Sequence, residues 1–450
     1  MGKVIFWGFS QAAQVKAYEL YQGDKVLYSA FSSKEKGIYG LDDFEQESYT
    51  KKIALEHQNT HIPKALENIF NDNFNVYKNQ FSRCLRGLGA CSDSSRVKKH
   101  FWTLLQWYFF KYHDKRVNFA IFAVPPHFGF DKLMSDVLKW LGIPVYYGYQ
   151  TLFPNKFILY NYQFETIAPP NASPCTLHPE FPPVDTEELS YMKNISEAPP
   201  KPQWIRWLRK GLRSYFQIGD RRGSTRNQVI GEYHYYKNLR KAGLWNNDKL
   251  EAILLGKPFI YFPLHLQPEM TTSMLGGKYV DQILALEHLE QILPPGYKIV
   301  VKENPKQIYK DRSDDFFIRL KNLKNVIFIG KYLNSKWLIK KSKLVATITG
   351  TAGWEAIRFG KPVIVFGHAW YKNFYGVFQF HRQLNIKKTM LCHPSPEQLQ
   401  LDFQVFSSEC WNGVIDSYYQ KQSLVSEEES VANLVKLLKH LNQPFKDIKI

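Results

Sequence analysis

The feature that most constrains the fold is a regular alternation of short β-rich runs and short helical stretches from about residue 258 onward. Strands are predicted over 259–262, 298–302, 326–329, 344–348 and 363–366, and helices over 281–293, 314–320, 335–341 and 352–359. Alternation of this kind is typical of a parallel sheet flanked by helices. We therefore predict a Rossmann-like α/β domain in the second half of the chain.

The first half carries a sparser version of the same pattern. A strand over 4–7 precedes a helix from about Gln11, and a strand over 118–124 is followed by a helix over 132–141 and a strand over 144–147. A chain of 450 residues can bury two such cores. We predict an N-terminal domain over 1–165, a proline-rich linker with an amphipathic segment over 166–250, a second domain over 251–420 and a C-terminal helix over 421–450.

The charge balance favours an anionic partner. Lys and Arg number 59 against 41 Asp and Glu, a net charge of +18. The odd count of 5 cysteines without a C-x-x-C pair predicts reduced thiols in a cytoplasmic protein. The apolar start is too short for a signal peptide, and no uncharged stretch approaches the roughly 20 residues of a membrane span. We expect a soluble or peripheral protein.

The strongest motif is a Thr- and Gly-rich turn between a buried strand and a helix. It reads T-I-T-G-T-A-G-W-E-A over residues 347–356. Backbone N–H groups and the positive end of a helix dipole suit a phosphate at such a turn. Glycines at 350 and 353 would let a ligand approach the backbone, and the hydroxyls of Thr349 and Thr351 would add hydrogen bonds. The alternative is a helix N-terminus without a ligand.

Two further loops follow predicted strands of the same domain. Ligands of open parallel sheets bind beyond the carboxyl ends of the strands, so all these loops should open onto one crevice. In K-E-N-P, Lys302 is suited to offset phosphate charge, and Glu303 or Asn304 to bond a ribose or base. In P-L-H-L-Q-P-E, His265 and Glu269 are polar groups in an apolar setting. Plain loop or core roles are the alternatives for both segments.

As a set, these motifs resemble the capsular polysaccharide biosynthesis family, which includes bacterial Kdo transferases. K-E-N-P, T-G-T-A-G-W-E-A-I-R-F-G-K-P-V-I-V-F-G, P-L-H-L-Q-P-E and the first-domain run P-P-H-F-G-F-D carry the resemblance, over about residues 118–160 and 250–375. It implies a GT-B fold, with two Rossmann-like domains facing an interdomain cleft. It also implies a nucleotide-sugar donor bound mainly by the second domain.

The donor-binding residues expected on this basis are Lys302, Glu303, Asn304, Pro305, Thr349, Gly350, Thr351, Ala352, Gly353 and Glu355. Related transferases that use CMP-sugars carry a His-Pro pair where this chain has Asn304-Pro305. Asn can neither bring a charge to the phosphate nor act as an acid, so this departure bears directly on the nucleotide.

Glycosyl transfer also requires a carboxylate as base or nucleophile. Asp131, at the end of the loop after the 118–124 strand, is the first candidate, and Glu269 and His265 are further catalytic candidates. An Asp at a helix start is also commonly an N-cap. The sequence leaves inversion and retention open. It has no D-x-D or H-E-x-x-H motif, so we expect neither a metal nor another cofactor.

A basic amphipathic segment over residues 204–216 predicts contact with an anionic membrane surface. Trp204 and Trp207 share its apolar face. Four cations fall opposite: Arg206, Arg209, Lys210 and Arg213. A lipid-linked or oligosaccharide acceptor would require work at that surface, and packing of the apolar face on the protein is the alternative.

Two other function classes remain open at this point. A GT-B-type nucleotide-sugar epimerase would share the fold but need no acceptor. A nucleic-acid-binding protein would fit the charge and the 16% aromatic content, but the sequence has no RNP-like strand, zinc finger or long basic run. We therefore expect no nucleic-acid partner.

Overall fold

The structure is a computed structural model that describes residues 3–20, 26–30, 61–84, 94–170, 230–239 and 247–442. Single residues or short runs at 154, 255, 268, 308–311, 313, 332, 417–418, 421–422 and 424 are excepted. The predicted membrane segment over 204–216 and most of the proline-rich linker lie outside the described residues. None of the described helices is long and apolar enough to cross a membrane.

The described strands and helices alternate for most of the chain. The strands are β1 (Lys3–Trp7), β2 (Val26–Ala30), β3 (Val117–Phe122), β4 (Val145–Gln150), β5 (Lys156–Asn161), β6 (Phe259–Pro263), β7 (Lys298–Lys302), β8 (Val326–Ile329), β9 (Leu344–Thr347), β10 (Val363–Val365), β11 (Val377–Gln379) and β12 (Trp411–Asn412). The helices are α1 (Gln11–Leu20), α2 (Lys64–Cys84), α3 (Ser94–Tyr112), α4 (Phe130–Trp140), α5 (Asn247–Leu254), α6 (Met270–Ser273), α7 (Gln282–Gln291), α8 (Asp314–Asn322), α9 (Ser335–Lys341), α10 (Thr351–Arg358), α11 (Ile386–Thr389), α12 (Pro396–Glu409) and α13 (Glu427–Leu441). Residues 230–239 are also helical, and Gly277–Val280 form a 3₁₀ turn.

The chain divides into two units, which we call unit 1 and unit 2. Among the described residues, unit 1 contains those up to 170 together with 404–442, and unit 2 contains 230–403. The return to unit 1 takes place within α12. This division differs from the predicted one, which ended the second domain at residue 420.

Unit 1 is built on a six-stranded sheet in the order β12-β5-β4-β3-β1-β2. The strands from β4 to β2 are parallel, and β5 pairs antiparallel with both β4 and β12. Burial of apolar side chains explains why the C-terminal segment returns here. Trp411, Ile415 and Leu437 join Phe6 and Ile121 in one core cluster.

Unit 2 is a six-stranded sheet in which every pairing is parallel, in the order β11-β10-β9-β6-β7-β8. Strands β6 and β9 are therefore neighbours, and the chain winds outward from them in two directions, as in a doubly wound Rossmann sheet. Strands β7, β9 and β10 are rich in Val and Ile and almost wholly buried, which is typical of a sheet covered on both faces. The predicted α/β fold class with two Rossmann-like units is confirmed.

Candidate functional site

The topological switch point of unit 2 lies between β6 and β9, where the strand order reverses. The loops that follow these two strands leave the sheet side by side at its carboxyl edge, which is the usual ligand position in this fold. His265 follows β6, and the Thr349–Gly353 turn follows β9. The two are in contact, because His265 Nε2 lies 2.9 Å from Thr347 Oγ1 and 3.5 Å from the Thr349 amide nitrogen.

The Thr- and Gly-rich turn forms the start of α10, as the sequence predicts. Gly350 is its N-cap residue, with φ −74° and ψ 156°, and has no side chain to cap the helix. The Thr351 and Ala352 amides lie in the first helical turn, where N–H groups have no carbonyl partner within the helix. The Thr349 hydroxyl donates to the Thr271 carbonyl at 2.9 Å, so it ties the turn to α6.

At both glycines of this turn, neighbouring side chains leave too little room for a Cβ atom. A Cβ at Gly350 would lie 2.9 Å from both His265 Nε2 and Thr347 Oγ1. A Cβ at Gly353 would lie 2.2 Å from the hydroxyl oxygen of Tyr371. That hydroxyl donates to the Gly350 carbonyl. Packing within the protein therefore accounts for Gly353 without any ligand.

The K-E-N-P loop after β7 is held by a buried ion pair that the sequence did not reveal. The Glu303 and Arg312 side chains are fully buried, with Arg312 Nε donating to Glu303 Oε2 at 2.9 Å. Glu303 Oε1 accepts from Arg312 Nη2 at 3.2 Å and from the Asn304 amide at 2.8 Å. Both Glu303 oxygens are thus engaged by the protein, which gives this residue a structural role in the loop.

Arg312 also joins the loops after β6 and β7. Its Nη1 donates to Gln267 Oε1 at 2.9 Å, and its Nη2 donates to the His265 carbonyl at 3.1 Å. The His265 amide donates to Gln282 Oε1 at 2.7 Å. The backbone of His265 is therefore held at its carbonyl by Arg312 and at its amide by Gln282.

His265 is a buried imidazole, with 8% of its surface exposed. Burial, and then the positive charge of Arg312, lower its pKa to about 4. The ring is consequently neutral at physiological pH. A neutral imidazole is suited to hydrogen bonding but is a poor general acid for transfer at pH 7.

A second buried cation, Lys331, lies in the loop after β8. It donates to the Gln307 carbonyl and lies 5.1 Å from the centre of the Tyr235 ring. Burial lowers the pKa of its ammonium group to about 8, although the nearby Glu303 opposes that shift. Sequence patterns offered no signal for Lys331 or for Arg312.

The other predicted donor residues described next lie at the end of β7, in the loop that follows it and in α10. The Asn304 side-chain oxygen accepts from the Lys306 amide at 2.9 Å, and Pro305 is half-buried beside it. Lys302 is buried at the end of β7 and donates to Ser335 Oγ at 2.7 Å. Glu355 is half-buried in α10. Burial raises the pKa of the Tyr261 phenol, and the negative charge of Glu355 adds to that rise.

The two candidate catalytic carboxylates belong to different units. Glu269 is half-buried at the N-cap of α6, in unit 2, where its carbonyl accepts from the Ser273 amide at 2.7 Å. Asp131 lies in unit 1, in the first turn of α4, and only 2% of its surface is exposed.

Asp131 holds the turn that precedes its own helix. Its carboxylate accepts from the amides of His127 at 3.0 Å, Phe128 at 2.8 Å and Lys132 at 2.7 Å. Burial raises its pKa to about 6, and these N–H groups oppose the rise. Such a pKa suits acid–base chemistry, but both oxygens face the backbone, as expected of a helix cap. A catalytic role for Asp131 stays a prediction.

Metal ligands do not cluster in the described part of the chain. No group of three or more His, Cys, Asp or Glu side chains there is arranged to hold a metal ion.

A comparison with protein families gives a match within unit 2. Residues 248–403 match the family model described as capsule polysaccharide biosynthesis protein. The match covers 156 of the 450 residues and most of the described part of this α/β domain. The domain contains His265, the K-E-N-P loop and the Thr349–Gly353 turn, so the resemblance carried by those motifs is confirmed. Among curated proteins, the sequence has no match.

Solved structures give weaker likenesses. The beta Kdo 2,7 transferase part of KpsC from Thermosulfurimonas dismutans is 11% identical, with 97% of this chain and 100% of that chain covered and a TM-score of 0.31. UDP-GlcNAc 2-epimerase from Methanocaldococcus jannaschii is 12% identical, with 98% and 100% covered and a TM-score of 0.24. TarM from S. aureus is 19% identical, with 41% of this chain covered and a TM-score of 0.22, and the chain spans only 36% of its length. Scores this low bear on neither the substrate nor the residues of this chain.

Proposed function

We propose that the chain is a GT-B glycosyltransferase that moves a sugar from a nucleotide-sugar onto a capsular or other surface polysaccharide acceptor. One observation carries the proposal. The region over residues 248–403, which matches the capsule polysaccharide biosynthesis family, contains, at its topological switch point, a Thr- and Gly-rich turn that begins a helix. That position and that turn chemistry suit a nucleotide phosphate.

The electrostatics of unit 2 support an anionic donor. Arg312 and Lys331 are two buried cations beside one buried anion, Glu303. Excess buried positive charge is unfavourable unless it is offset, and a bound phosphate would offset it. The first turn of α10 adds the positive end of a helix dipole at the same edge of the sheet.

For the donor sugar we propose Kdo from CMP-Kdo as the first candidate. The support is the resemblance of the motifs to Kdo transferases of capsule assembly. Asn304 stands where related CMP-sugar transferases carry His, so we expect the phosphate to be bound at the positive N-terminal end of α10 rather than by an imidazolium at 304. Transfer without a metal, an oligosaccharide or lipid-linked acceptor, and work at the cytoplasmic face of an anionic membrane complete the proposal.

For the catalytic carboxylate we propose Glu269, with Asp131 as the alternative. Glu269 lies in the same unit as the switch point and follows the same loop as His265. The oxygens of Asp131, by contrast, are bonded to three backbone amides. Neutral His265 would then contribute a hydrogen bond rather than a proton.

A donor screen tests the proposal. Thermal shift of the full chain with CMP-, UDP-, GDP- and CDP-sugars should show stabilisation by one nucleotide class, and transfer of labelled sugar should then require an acceptor. Gly350→Ala should weaken binding and Gly350→Val should abolish it, because a Cβ there meets His265 and Thr347 at 2.9 Å. The circular dichroism of both variants should stay native.

Three results would contradict the proposal in different ways. Conversion of the donor sugar without any acceptor would identify an epimerase. Salt-sensitive binding to random DNA without nucleotide-sugar binding would identify a nucleic-acid-binding protein. Unchanged donor affinity in Gly350→Val would remove the Thr349–Gly353 turn from the site.

A further inference from the structure

A chain of three hydrogen bonds crosses the switch point of unit 2. The Gly350 amide donates to Thr347 Oγ1 at 3.2 Å, and Thr347 Oγ1 lies 2.9 Å from His265 Nε2. The Thr349 amide also points to Nε2, at 3.5 Å. The start of the α10 helix is therefore linked directly to the His265 ring through one hydroxyl group.

The fixed donors in this chain decide which ring nitrogen carries the proton. A backbone N–H can only donate, so the Thr349 amide makes Nε2 an acceptor. The Gly350 amide occupies an acceptor site of the Thr347 oxygen and leaves the Thr347 hydroxyl proton to donate to Nε2. A neutral imidazole that accepts at Nε2 carries its proton on Nδ1.

Nδ1 is then a donor with an unused bond. The His265 backbone N–H and carbonyl both have partners, but no partner for Nδ1 lies in the described part of the chain. The side chain is more than nine-tenths buried. An N–H for which the described protein supplies no acceptor can donate to water or to an oxygen atom of a ligand.

We propose that Thr347 is a positioning residue that holds His265 as the neutral tautomer protonated on Nδ1, and that this N–H donates a hydrogen bond to an oxygen of a bound nucleotide. The second half rests on the function proposed above. His265 contacts the proposed phosphate-binding turn through Thr347. The acceptor that we expect for its N–H is therefore an oxygen of the nucleotide's phosphate or ribose.

The tautomer is measured without any ligand. In ¹⁵N-histidine-labelled full chain, the signal that disappears in His265→Gln belongs to this ring among the 13 histidines. Wild-type protein should show the two nitrogen shifts of an Nδ1–H tautomer, and Thr347→Ser should keep them. Thr347→Val cannot donate to Nε2 and should shift the population away from that tautomer. A wild-type signal of the Nε2–H form would overturn the first half of the inference.

Nucleotide binding tests the second half, with CMP and UDP as the probes in separate titrations. Thr347→Val should lower the affinity of the nucleotide that binds by about five- to tenfold, the equivalent of one hydrogen bond. Thr347→Ser should restore it. Thr389→Val is the matched control, because Thr389 is also buried but its hydroxyl donates to Asn385 within its own helical turn.

A double variant separates positioning from simple loss of structure. If Thr347 acts through His265, then Thr347→Val adds little to the loss already seen in His265→Gln, whereas independent effects would multiply. Additive losses would overturn the positioning role. If the wild-type protein binds no nucleotide in the screen, the proposed function and the ligand half fall together, while the tautomer result still decides the first half.

Discussion

Arg312→Met is the perturbation that tests the carboxyl edge of unit 2 most directly. Methionine keeps much of the aliphatic volume but removes the guanidinium that bonds Glu303, Gln267 and His265. Glu303 then remains buried without its bidentate partner. The loops after β6 and β7 also lose a side chain that bonds both of them, although the bonds between Gln307 and Gln267 remain.

The magnitude follows from the burial of the pair. Both side chains are 0% exposed, and removal of one partner from such a pair costs about 3–5 kcal/mol. The guanidinium also lies 4.6 Å from the centre of the Phe316 ring, a contact that the variant loses. Lys331 lies close enough to Glu303 to supply some compensating positive charge. We therefore expect the lower end of that range, about 3 kcal/mol.

The assay is urea unfolding of the full chain, followed by circular dichroism and tryptophan fluorescence so that separate transitions of the two units are resolved. Arg319→Met is the matched control, because Arg319 makes similar bonds to Glu287 and Asp281 but is 31% exposed. It should cost no more than about 1 kcal/mol. Glu303→Leu combined with Arg312→Met should recover at least half of the loss, since an apolar pair leaves no buried charge. Equal losses in the two arginine variants would refute the buried-network reasoning.

Three further outcomes are expected. Asp131→Asn should lower the free energy of unfolding of unit 1 by about 1–3 kcal/mol, because an amide cannot accept all three backbone N–H bonds. Donor affinity should not change. A fall in turnover of about 10²–10⁴-fold at full stability would instead make Asp131 a catalytic residue. The depressed pKa of His265, about 4 against 6.5, means that unit 2 keeps its full stability above about pH 6.5 and loses up to about 3 kcal/mol as the pH falls through 4, a loss absent from His265→Gln in urea titrations. Co-sedimentation with liposomes should require anionic lipid and weaken with salt, and it should disappear when four cations of the 204–216 segment become Glu, namely Arg206, Arg209, Lys210 and Arg213. If the wild-type protein does not bind anionic liposomes at low salt, the membrane proposal is wrong.

Periodicity predicted most of unit 2 because its elements are local and strongly patterned. The strand over 326–329 and the helix over 335–341 have the predicted bounds. Strands β11 and β12 were not predicted, since they have three and two residues and lie at sheet edges. Trp411 pairs with Phe157, far back in the chain, so no local pattern could place residues after 404 in unit 1.

The two long helices of unit 1 show a different limit. Neither α2 nor α3 was predicted, and α2 contains five Asn residues, which are weak helix formers. Phe70 and Tyr77 on α2 are fully buried and stack at 6.0 Å between ring centres. Tertiary burial of these rings therefore overrides the local preference, and it becomes visible only in the folded chain.

At the candidate site, motifs located the loops but not the bonds inside them. The sequence placed Glu303 beside a ligand, whereas the fold turns its carboxylate inward to Arg312, nine residues away. No spacing rule links those two residues, because neither of them belongs to a helix or a strand. The importance of Thr347 was hidden for a related reason, since a buried Thr at a strand end has the same appearance in sequence whether or not a histidine faces it.

The placement of charge connects the composition of the chain to its proposed chemistry. A net charge of +18 is compatible with many anionic partners. Arg312 and Lys331, however, are buried at the carboxyl edge of a parallel sheet, where Glu303 bonds Arg312 and acts electrostatically on Lys331. Long anionic polymers neutralise surface cations, whereas buried cations favour the smaller anionic ligand proposed above. In the proposed site, a nucleotide phosphate at the start of α10 would be a ligand of suitable size and charge, and the positive end of the α10 dipole would favour it.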